Sequence, residues 1–246
     1  MKGVILAGGL GTRLRPLTLT INKHLLPVYD RPMIFYPIQT LVKAGVEEVL
    51  VVTGGPHAGD FIQVLKNGKE FGVNHLEFAY QEGEGGIAAA LFLAEDFADG
   101  DSLAVILGDN TTDADIKKEV RNFKQGALIF LKEVLDPERF GVATLNGKKI
   151  IEIVEKPKEP KSNLAVTGLY LYDGTVFDKI RQINPSKRGE LEITDVNNLY
   201  LQAGNLNWAL LSGFWRDAGT FETYAEAFSY WTKVRQGKKR VNLVNE

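Results

Sequence analysis

Length, composition and charge are those of an ordinary globular chain. It has 246 residues, of which 44% are hydrophobic and 24% charged, and these values exclude a collagen, a coiled coil and a disordered chain. The 29 basic and 31 acidic residues give a net charge of −2, so no overall basic field indicates nucleic acid as a partner. The lack of cysteine excludes disulfides, thiolate nucleophiles and cysteine-ligated metal.

The longest stretch without a charged residue, 196–215, is not typical of a membrane span. It contains five amide side chains that hydrocarbon would not tolerate: Asn197, Asn198, Gln202, Asn205 and Asn207. The apolar run at 4–7 is shorter than the core of a signal peptide. We therefore expect a cytoplasmic protein that does not contact a membrane.

The first half of the chain alternates short apolar strands with amphipathic helices. The predicted strands cover residues 3–7, 49–52, 76–80, 103–107 and 127–131. The predicted helices cover 32–43, with Pro32 in the first turn, 60–66, 87–97, and a segment capped by Asp113 that ends at Phe123. This order predicts a Rossmann-like α/β fold, a mostly parallel mixed sheet sandwiched by helices. Ligands bind such a sheet at the carboxyl ends of its strands.

The second half is less regular. A hairpin is predicted over 142–154, with a type I′ turn at Asn146-Gly147, and further strands over 164–172, 208–211 and 214–216. Helices are predicted over 175–183, 193–203 and 221–235. No linker or repeat interrupts the chain, so we expect a single domain over 1–246, with halves at 1–135 and 136–246.

A glycine-rich loop, residues 8–13, follows the first predicted strand. Its glycines leave backbone N–H groups open to an anion, although such a loop is equally consistent with a tight turn. Leu14 stands where the dinucleotide fingerprint has its third glycine, which disfavours a nicotinamide dehydrogenase. The cations Arg13, Arg15 and Lys23 favour binding of a triphosphate, which needs fixed positive charge.

Two carboxylates follow apolar strands and are candidate metal ligands. Asp109 comes directly after the strand at 103–107, and Asp217 follows the strand at 214–216. Magnesium prefers one or two carboxylates together with phosphate oxygens. Asp109 is also consistent with a simple turn cap, and spacing alone does not show that the two carboxylates meet.

Two further cations are weaker candidates. Lys156 precedes Pro157, which predicts an extended backbone at Lys156, but an exposed ion pair is the favoured interpretation from residues 155–157 alone. Arg188 lies in a polar loop and is equally consistent with a second phosphate ligand or a solvated side chain.

Taken together, the motifs resemble those of the sugar-nucleotide pyrophosphorylases. They are 8–16 (GGLGTRLRP), Lys23, 26–34 (LPVYDRPMI), 107–110 (LGDN), 136–142 (DPERFGV), 155–157 (EKP), 165–170 (AVTGLY) and 188–195 (RGELEITD). The resemblance spans the chain in order. It implies the nucleotide-diphospho-sugar transferase type of fold, a homo-oligomer, and Mg²⁺-dependent transfer of a nucleotidyl group to a sugar 1-phosphate with release of pyrophosphate. The narrower motifs are similar to those of members that use dTTP and glucose 1-phosphate.

The resemblance also implies a role for each matching residue. Catalytic roles fall on Arg13, Lys23 and Asp109. Nucleotide-binding roles fall on Leu6, Gly8, Gly9, Gly11, Thr12, Arg13, Gln81 and Gly86. Sugar-phosphate-binding roles fall on Asn110, Gly141, Glu155, Lys156, Val166 and Arg188. The Mg²⁺ ligands are Asp109 and Asp217.

Some positions depart from the family pattern. His24 stands where glutamine is common, and Ala89 and Phe140 each replace a polar residue, which we expect to relax selectivity. The chain ends at Glu246, before a segment that helps to build a regulatory nucleotide site in longer members, so the resemblance does not imply feedback control. A uridylyltransferase or a relaxed-specificity enzyme stays open as an alternative, and so does a non-catalytic regulatory subunit.

Overall fold

A central sheet of nine strands runs through both halves of the sequence. The computed structural model describes residues 1–244. The strands are β1 (Lys2–Ala7), β2 (Pro27–Val28), β3 (Arg31–Pro32), β4 (Glu48–Gly54), β5 (His75–Gln81), β6 (Leu103–Leu107), β7 (Asn110–Thr112), β8 (Ala127–Glu133), β9 (Gly141–Asn146), β10 (Lys149–Glu155), β11 (Leu164–Tyr172), β12 (Leu206–Leu210) and β13 (Trp215–Asp217). The helices are α1 (Phe35–Lys43), α2 (Ala58–Leu65), α3 (Ile87–Phe92), α4 (Glu95–Ala98), α5 (Lys117–Asn122), α6 (Val176–Ile180), α7 (Ile193–Gln202) and α8 (Phe221–Val244).

The sheet is parallel in its first half and mixed in its second. β6, β1, β4 and β5 are neighbours in that order, and all of these pairs are parallel. β11 then joins β6 in the antiparallel sense and also pairs with β8, which β12 extends. The hairpin of β9 and β10 is attached through β11. The predicted mixed α/β sheet is therefore confirmed.

Helices cover both faces of the sheet because its inner strands are apolar on both sides. In β1, Val4 and Leu6 face one hydrophobic core, while Ile5 and Ala7 face the other. The first core is closed by α3, α4, α6 and α7, and the second by α1 and α2. A smaller third cluster holds α8 against the segment around Val28. No helix within residues 1–244 is long and apolar enough to cross a bilayer.

Several predicted helix boundaries are wrong. The helix predicted from Pro32 begins at Phe35, because Arg31 and Pro32 pair with β2. Pro37 instead occupies its first turn, where a missing N–H costs nothing. The helix predicted over 87–97 is divided into α3 and α4 by Leu93 and Ala94.

Two local predictions in loops are also wrong. Asp113 does not cap α5; its carboxylate accepts hydrogen bonds from the Phe214 N–H and the Tyr230 hydroxyl instead. The hairpin turn is not of type I′, because Asn146 pairs with Lys149 and Lys148 does not share the positive φ of Gly147.

Candidate active site

A cleft of about 510 Å³ opens at the carboxyl ends of β1, β5 and β6 and continues into the second half of the chain. It brings together every residue to which the resemblance assigns a role: Leu6, Gly8, Gly9, Gly11, Thr12, Arg13, Lys23, Gln81, Gly86, Asp109, Asn110, Gly141, Glu155, Lys156, Val166, Arg188 and Asp217. Arg15, the third cation named with the glycine-rich loop, does not line the cleft. The resemblance therefore selected residues that are far apart in sequence and adjacent in space.

The glycine-rich loop forms the cleft wall after β1. Gly11 has a φ of 66°, and a Cβ there would lie 2.9 Å from the Cβ of Lys23. A Cβ at Gly8 would lie 2.4 Å from Gln81 Oε1, whereas one at Gly9 would meet nothing closer than 3.7 Å. Glycine at 11 is thus required by both backbone conformation and packing, whereas a Cβ at Gly8 would have to displace only the end of the Gln81 side chain. Gly9 leaves open space in front of its backbone.

Lys23 and Asp109 form an ion pair at the centre of the cleft. Lys23 Nζ donates to Asp109 Oδ2 over 2.7 Å, and both side chains are largely buried. Burial favours the neutral form of Asp109, but the Lys23 ammonium holds the pKa of this carboxyl well below its usual value. Asp109 is therefore ionised throughout the physiological range.

His24 is buried beside this pair and is neutral. Burial, assisted by the adjacent Lys23 charge, lowers the pKa of His24 to about 3. Its Nδ1 lies 2.8 Å from Asn22 Oδ1, which also accepts from the His24 backbone N–H.

Asp217 converges on Asp109, which spacing could not establish. β13 pairs with β7, so that Asp217 lies opposite Asn110 in the ladder. The Oδ2 atoms of Asp109 and Asp217 each lie 3.5 Å from the point that a Cβ at Gly219 would occupy. Burial and the nearby Asp109 charge raise the pKa of Asp217 to about 6.

These two carboxylates fit a divalent cation that takes its other ligands from substrate and water. The missing Cβ at Gly219 leaves space between them, and Arg13 NH2 lies 3.4 Å from the same point. Among residues 1–244, no group of three His, Asp or Glu side chains forms a complete protein cage. Two carboxylates plus phosphate oxygens is the donor set that Mg²⁺ uses in phosphoryl-transfer enzymes.

Arg139 lines the cleft but was not predicted. Its NH2 donates to Asp217 Oδ2 over 2.9 Å and its NH1 to Asp136 over 2.7 Å. Its guanidinium also lies over the ring of Phe140, at 5.2 Å from the centroid. The motif at 136–142 contributes to the family resemblance, but nothing local in it indicates a partner 78 residues away.

The opposite end of the cleft presents hydrogen-bonding groups close to two further cations. Glu155 Oε2 accepts a 2.6 Å hydrogen bond from Thr194, and a Cβ at Gly141 would lie 3.1 Å from that hydroxyl. Asn110 is fixed by the Trp215 indole N–H, which donates to its Oδ1 over 2.7 Å. Thr194 and Trp215 were not predicted, although both line the cleft.

The two predicted phosphate ligands flank Glu155. Lys156 Nζ lies 3.6 Å and Arg188 NH2 3.7 Å from Glu155 Oε1. The extended backbone predicted for Lys156 is wrong, because its φ is +42°. A lysine in this left-handed region is strained, and the strand β10 ends immediately before it.

The loop after β5 closes the remaining side. Gln81 is buried, and its Nε2 donates to the Gly86 carbonyl over 3.3 Å. Gly86 has a φ of +91°, and a Cβ there would lie 2.7 Å from the Leu191 carbonyl. The loop bearing Gln81 is thus packed directly on the loop bearing Arg188.

A mixed sheet with a glycine loop, paired carboxylates and clustered cations in one cleft defines a nucleotidyltransferase. The family model for nucleotidyl transferases matches residues 2–234, and the chain belongs to this family. The resemblance found in the sequence is therefore confirmed.

Within the nucleotidyltransferases, the chain is similar to curated enzymes that share one name. The glucose-1-phosphate thymidylyltransferase of Neisseria meningitidis is 43% identical over 242 residues, covering 96% of this chain and 84% of the relative. The enzyme of the same name from Xanthomonas campestris is 44% identical over 247 residues, covering 96% of this chain and 83% of the relative.

Solved structures agree in fold. A Bacillus anthracis protein assigned as a glucose-1-phosphate thymidylyltransferase, solved with sucrose, is 51% identical with a TM-score of 0.89, covering 94% of both chains. A UDP-glucose pyrophosphorylase solved with UDP-glucose is 27% identical with a TM-score of 0.82, covering 94% of this chain and 98% of the other.

Proposed function

We propose that this nucleotidyltransferase moves the dTMP group of dTTP to α-D-glucose 1-phosphate, giving dTDP-glucose and pyrophosphate. The observation that carries this proposal is the convergence of Arg13, Lys23, Asp109 and Asp217 in one cleft. Two polyanionic substrates need such an arrangement of cations and metal-ligating carboxylates to approach each other. The names of the relatives at 40–44% identity support the choice of thymidine nucleotide and glucose.

The nucleotide occupies the first-half end of the cleft in this proposal. Open backbone N–H groups of the glycine-rich loop hold the triphosphate, and Arg13 and Lys23 neutralise the departing pyrophosphate. The buried Gln81 amide and Gly86 read the base. Leu6, Gly8, Gly9, Gly11 and Thr12 complete this set.

The sugar phosphate occupies the second-half end. The Glu155 carboxylate, held by Thr194, and Asn110, held by Trp215, bind ring hydroxyls together with Gly141 and Val166. Lys156 and Arg188 bind the phosphate. Residues 1–135 and 136–246 would then be the nucleotide-binding and sugar-phosphate-binding halves of a single domain.

Chemistry at phosphorus requires positioning and charge rather than a base. An oxygen of the sugar phosphate, already an anion, attacks the α-phosphorus of dTTP, and the bond from that phosphorus to the bridging oxygen of pyrophosphate breaks. No proton has to be removed from the nucleophile. Mg²⁺ bound by Asp109 and Asp217 would neutralise charge on the reacting phosphates. We further propose that the protein is a cytoplasmic homo-oligomer. Its function requires binding to neither nucleic acid nor a membrane.

Uridylyl transfer is the second candidate, because a UDP-glucose pyrophosphorylase shares the fold. The thymine base differs from uracil by one methyl group, which is worth about 10–200-fold in discrimination, and dTTP also lacks the ribose 2′-hydroxyl of UTP. Mixed use of dTTP and UTP is therefore compatible with the same cleft. A non-catalytic regulatory subunit is disfavoured, because Arg13, Lys23, Asp109 and Asp217 are all in place.

The deciding experiment measures kcat/KM for dTTP, UTP, dATP and GTP with glucose 1-phosphate and Mg²⁺, by release of pyrophosphate. We expect dTTP to lead UTP by about 10–200-fold and the purines to react poorly. A higher kcat/KM for UTP would favour the uridylyltransferase. Absence of pyrophosphate with every nucleotide would favour the regulatory subunit.

A further inference from the structure

Arg188 is a half-exposed side chain on a loop, yet it is held by carboxylates. Its NH2 lies 2.8 and 2.9 Å from the two oxygens of Glu192. The same nitrogen lies 3.5 Å from Glu190 and 3.7 Å from Glu155. Within residues 1–237, whose side chains the structure describes, none accepts a hydrogen bond from Arg188 NH1 or Nε, so those donors remain available to a ligand.

Glu192 differs from the other two carboxylates in its surroundings. It is 7% exposed and does not line the cleft, whereas Glu155 and Glu190 do. Its Oε1 also accepts a 2.8 Å hydrogen bond from the Ser186 hydroxyl, at the start of the loop that carries Arg188. Glu192 therefore approaches the guanidinium from the protein side, and the cleft lies on the other.

Glutamate is an unfavourable residue at position 192, directly before helix α7. It is the residue before α7, with an extended backbone, but its side chain makes no capping hydrogen bond to the helix. Helices favour a short polar side chain there because it satisfies the free N–H groups. A buried carboxylate is also unfavourable unless it is paired. Glu192 breaks the first rule, and it meets the second only through its contacts with Arg188 and Ser186. These contacts, rather than the helix, therefore account for a glutamate at this position.

We propose that Glu192 is a positioning residue, which holds the guanidinium of Arg188 so that its free N–H groups meet the phosphate of the sugar substrate. This inference rests on the proposed function, in which Arg188 binds that phosphate. An arginine on a loop loses much rotamer freedom when it binds a ligand. Fixing it beforehand reduces this cost and strengthens binding of the phosphate.

Removal of Glu192 should change the affinity for the sugar phosphate in opposite directions, depending on whether Glu192 positions Arg188 or only neutralises its charge. If Glu192 only neutralised Arg188, its removal would strengthen the pull of the cleft on a phosphate dianion. If it positions Arg188, its removal weakens binding of the sugar phosphate and leaves binding of the nucleotide unchanged.

The test is steady-state kinetics of Glu192→Ala, Glu192→Gln, Arg188→Ala and the Arg188→Ala/Glu192→Ala double variant, with KM measured for each substrate. We expect Glu192→Ala to raise KM for glucose 1-phosphate roughly tenfold, the size of one charge-assisted hydrogen bond. KM for dTTP should stay constant. Glu192→Gln keeps one acceptor and should recover part of the loss. The double variant should be no worse than Arg188→Ala.

A matched control comes from a pair outside the cleft. Glu95 binds Arg181 NH2 through both oxygens at 2.6 Å, and Glu95→Ala should leave both KM values unchanged. Thermal unfolding checks that each variant is folded. If Glu192→Ala does not fold, the KM values of Glu192→Gln decide the test. An unchanged or lower KM for glucose 1-phosphate, or an effect of full size in the Arg188→Ala background, overturns the proposal. Failure of the wild-type protein to release pyrophosphate would overturn the proposed function instead.

Discussion

Lys23 contributes both to the stability of the folded protein and to the proposed reaction, and mutation can distinguish the two contributions. Its ammonium balances the buried Asp109 carboxylate, and in the proposed reaction it also neutralises the departing pyrophosphate. Lys23→Ala should therefore lower the free energy of unfolding by up to about 3 kcal/mol, since Asp109 loses its partner. It should also lower kcat roughly 100-fold or more.

Adding Asp109→Asn to Lys23→Ala distinguishes the two effects. The double variant no longer buries an unpaired charge, so chemical denaturation should show that most of the stability returns. Pyrophosphate release should stay at the level of Lys23→Ala or below it. Recovery of activity together with stability would contradict the proposed roles of both Lys23 and Asp109.

His24 should make stability depend on pH. Its pKa of about 3 in the folded protein is below the unfolded value of 6.5, so the unfolded chain binds a proton that the folded protein does not. The His24 contribution is therefore fully present above pH 6.5 and declines as the pH falls from 6.5 towards 3, by up to about 1.4 kcal/mol per pH unit. Urea unfolding at several pH values should show a shallower slope for His24→Gln, whereas parallel profiles would contradict a neutral buried imidazole.

For single residues, the sequence was enough to predict the charged groups of the cleft but not the side chains that hydrogen-bond to them. Lys23 and Asp109 could be predicted because each follows or precedes an apolar run. Arg139 and Thr194 could not, because each acts through a partner that folding alone brings near: Asp217 for Arg139 and Glu155 for Thr194.

Among the elements, β7 and β13 create the proposed metal site. Their pairing brings Asp217 beside Asp109, and Gly219, two residues after Asp217, has no side chain to fill the space near the two carboxylates. A methyl group there would make only ordinary contacts, at 3.4 Å to Arg13 and 3.5 Å to each carboxylate. It would, however, occupy the space that a bound cation needs.

Gly219→Ala should thus fold normally and bind metal poorly. We expect Mn²⁺ affinity, measured by electron paramagnetic resonance, to fall roughly tenfold or more, with turnover falling in parallel and the melting temperature unchanged. Gly59→Ala is the control, since nothing lies within 4 Å of its added methyl group in α2. Normal Mn²⁺ binding by Gly219→Ala would place the metal elsewhere.

Strand predictions succeeded where apolar residues dominate the segment. They failed where a segment becomes a strand only because a distant segment pairs with it. β6 and β11 were predicted at their observed bounds, because both are continuous runs of apolar or β-branched residues. β7 was not, since Asn-Thr-Thr resembles a turn and its partner lies about a hundred residues later. The backbone of Lys156 was mispredicted because Pro157 disfavours but does not forbid other conformations.

In the whole molecule, one sheet joins both halves of the sequence at β6 and β11. The predicted nucleotide-binding residues therefore face the predicted sugar-binding residues across a single cleft. The order of strands and helices was enough to predict this class of sheet and the edge at which ligands bind. The antiparallel entry of β11, which brings Val166 into the cleft, required the structure.

Such a cleft has room for direct transfer between two substrates bound together. The configuration at phosphorus tests this most directly: dTTP carrying a chiral thiophosphate at the α position is converted with glucose 1-phosphate, and the configuration of the dTDP-glucose thiophosphate is determined by ³¹P NMR. A single in-line displacement predicts inversion. Retention would require two displacements and a nucleotidyl group carried on the protein, which would contradict the account.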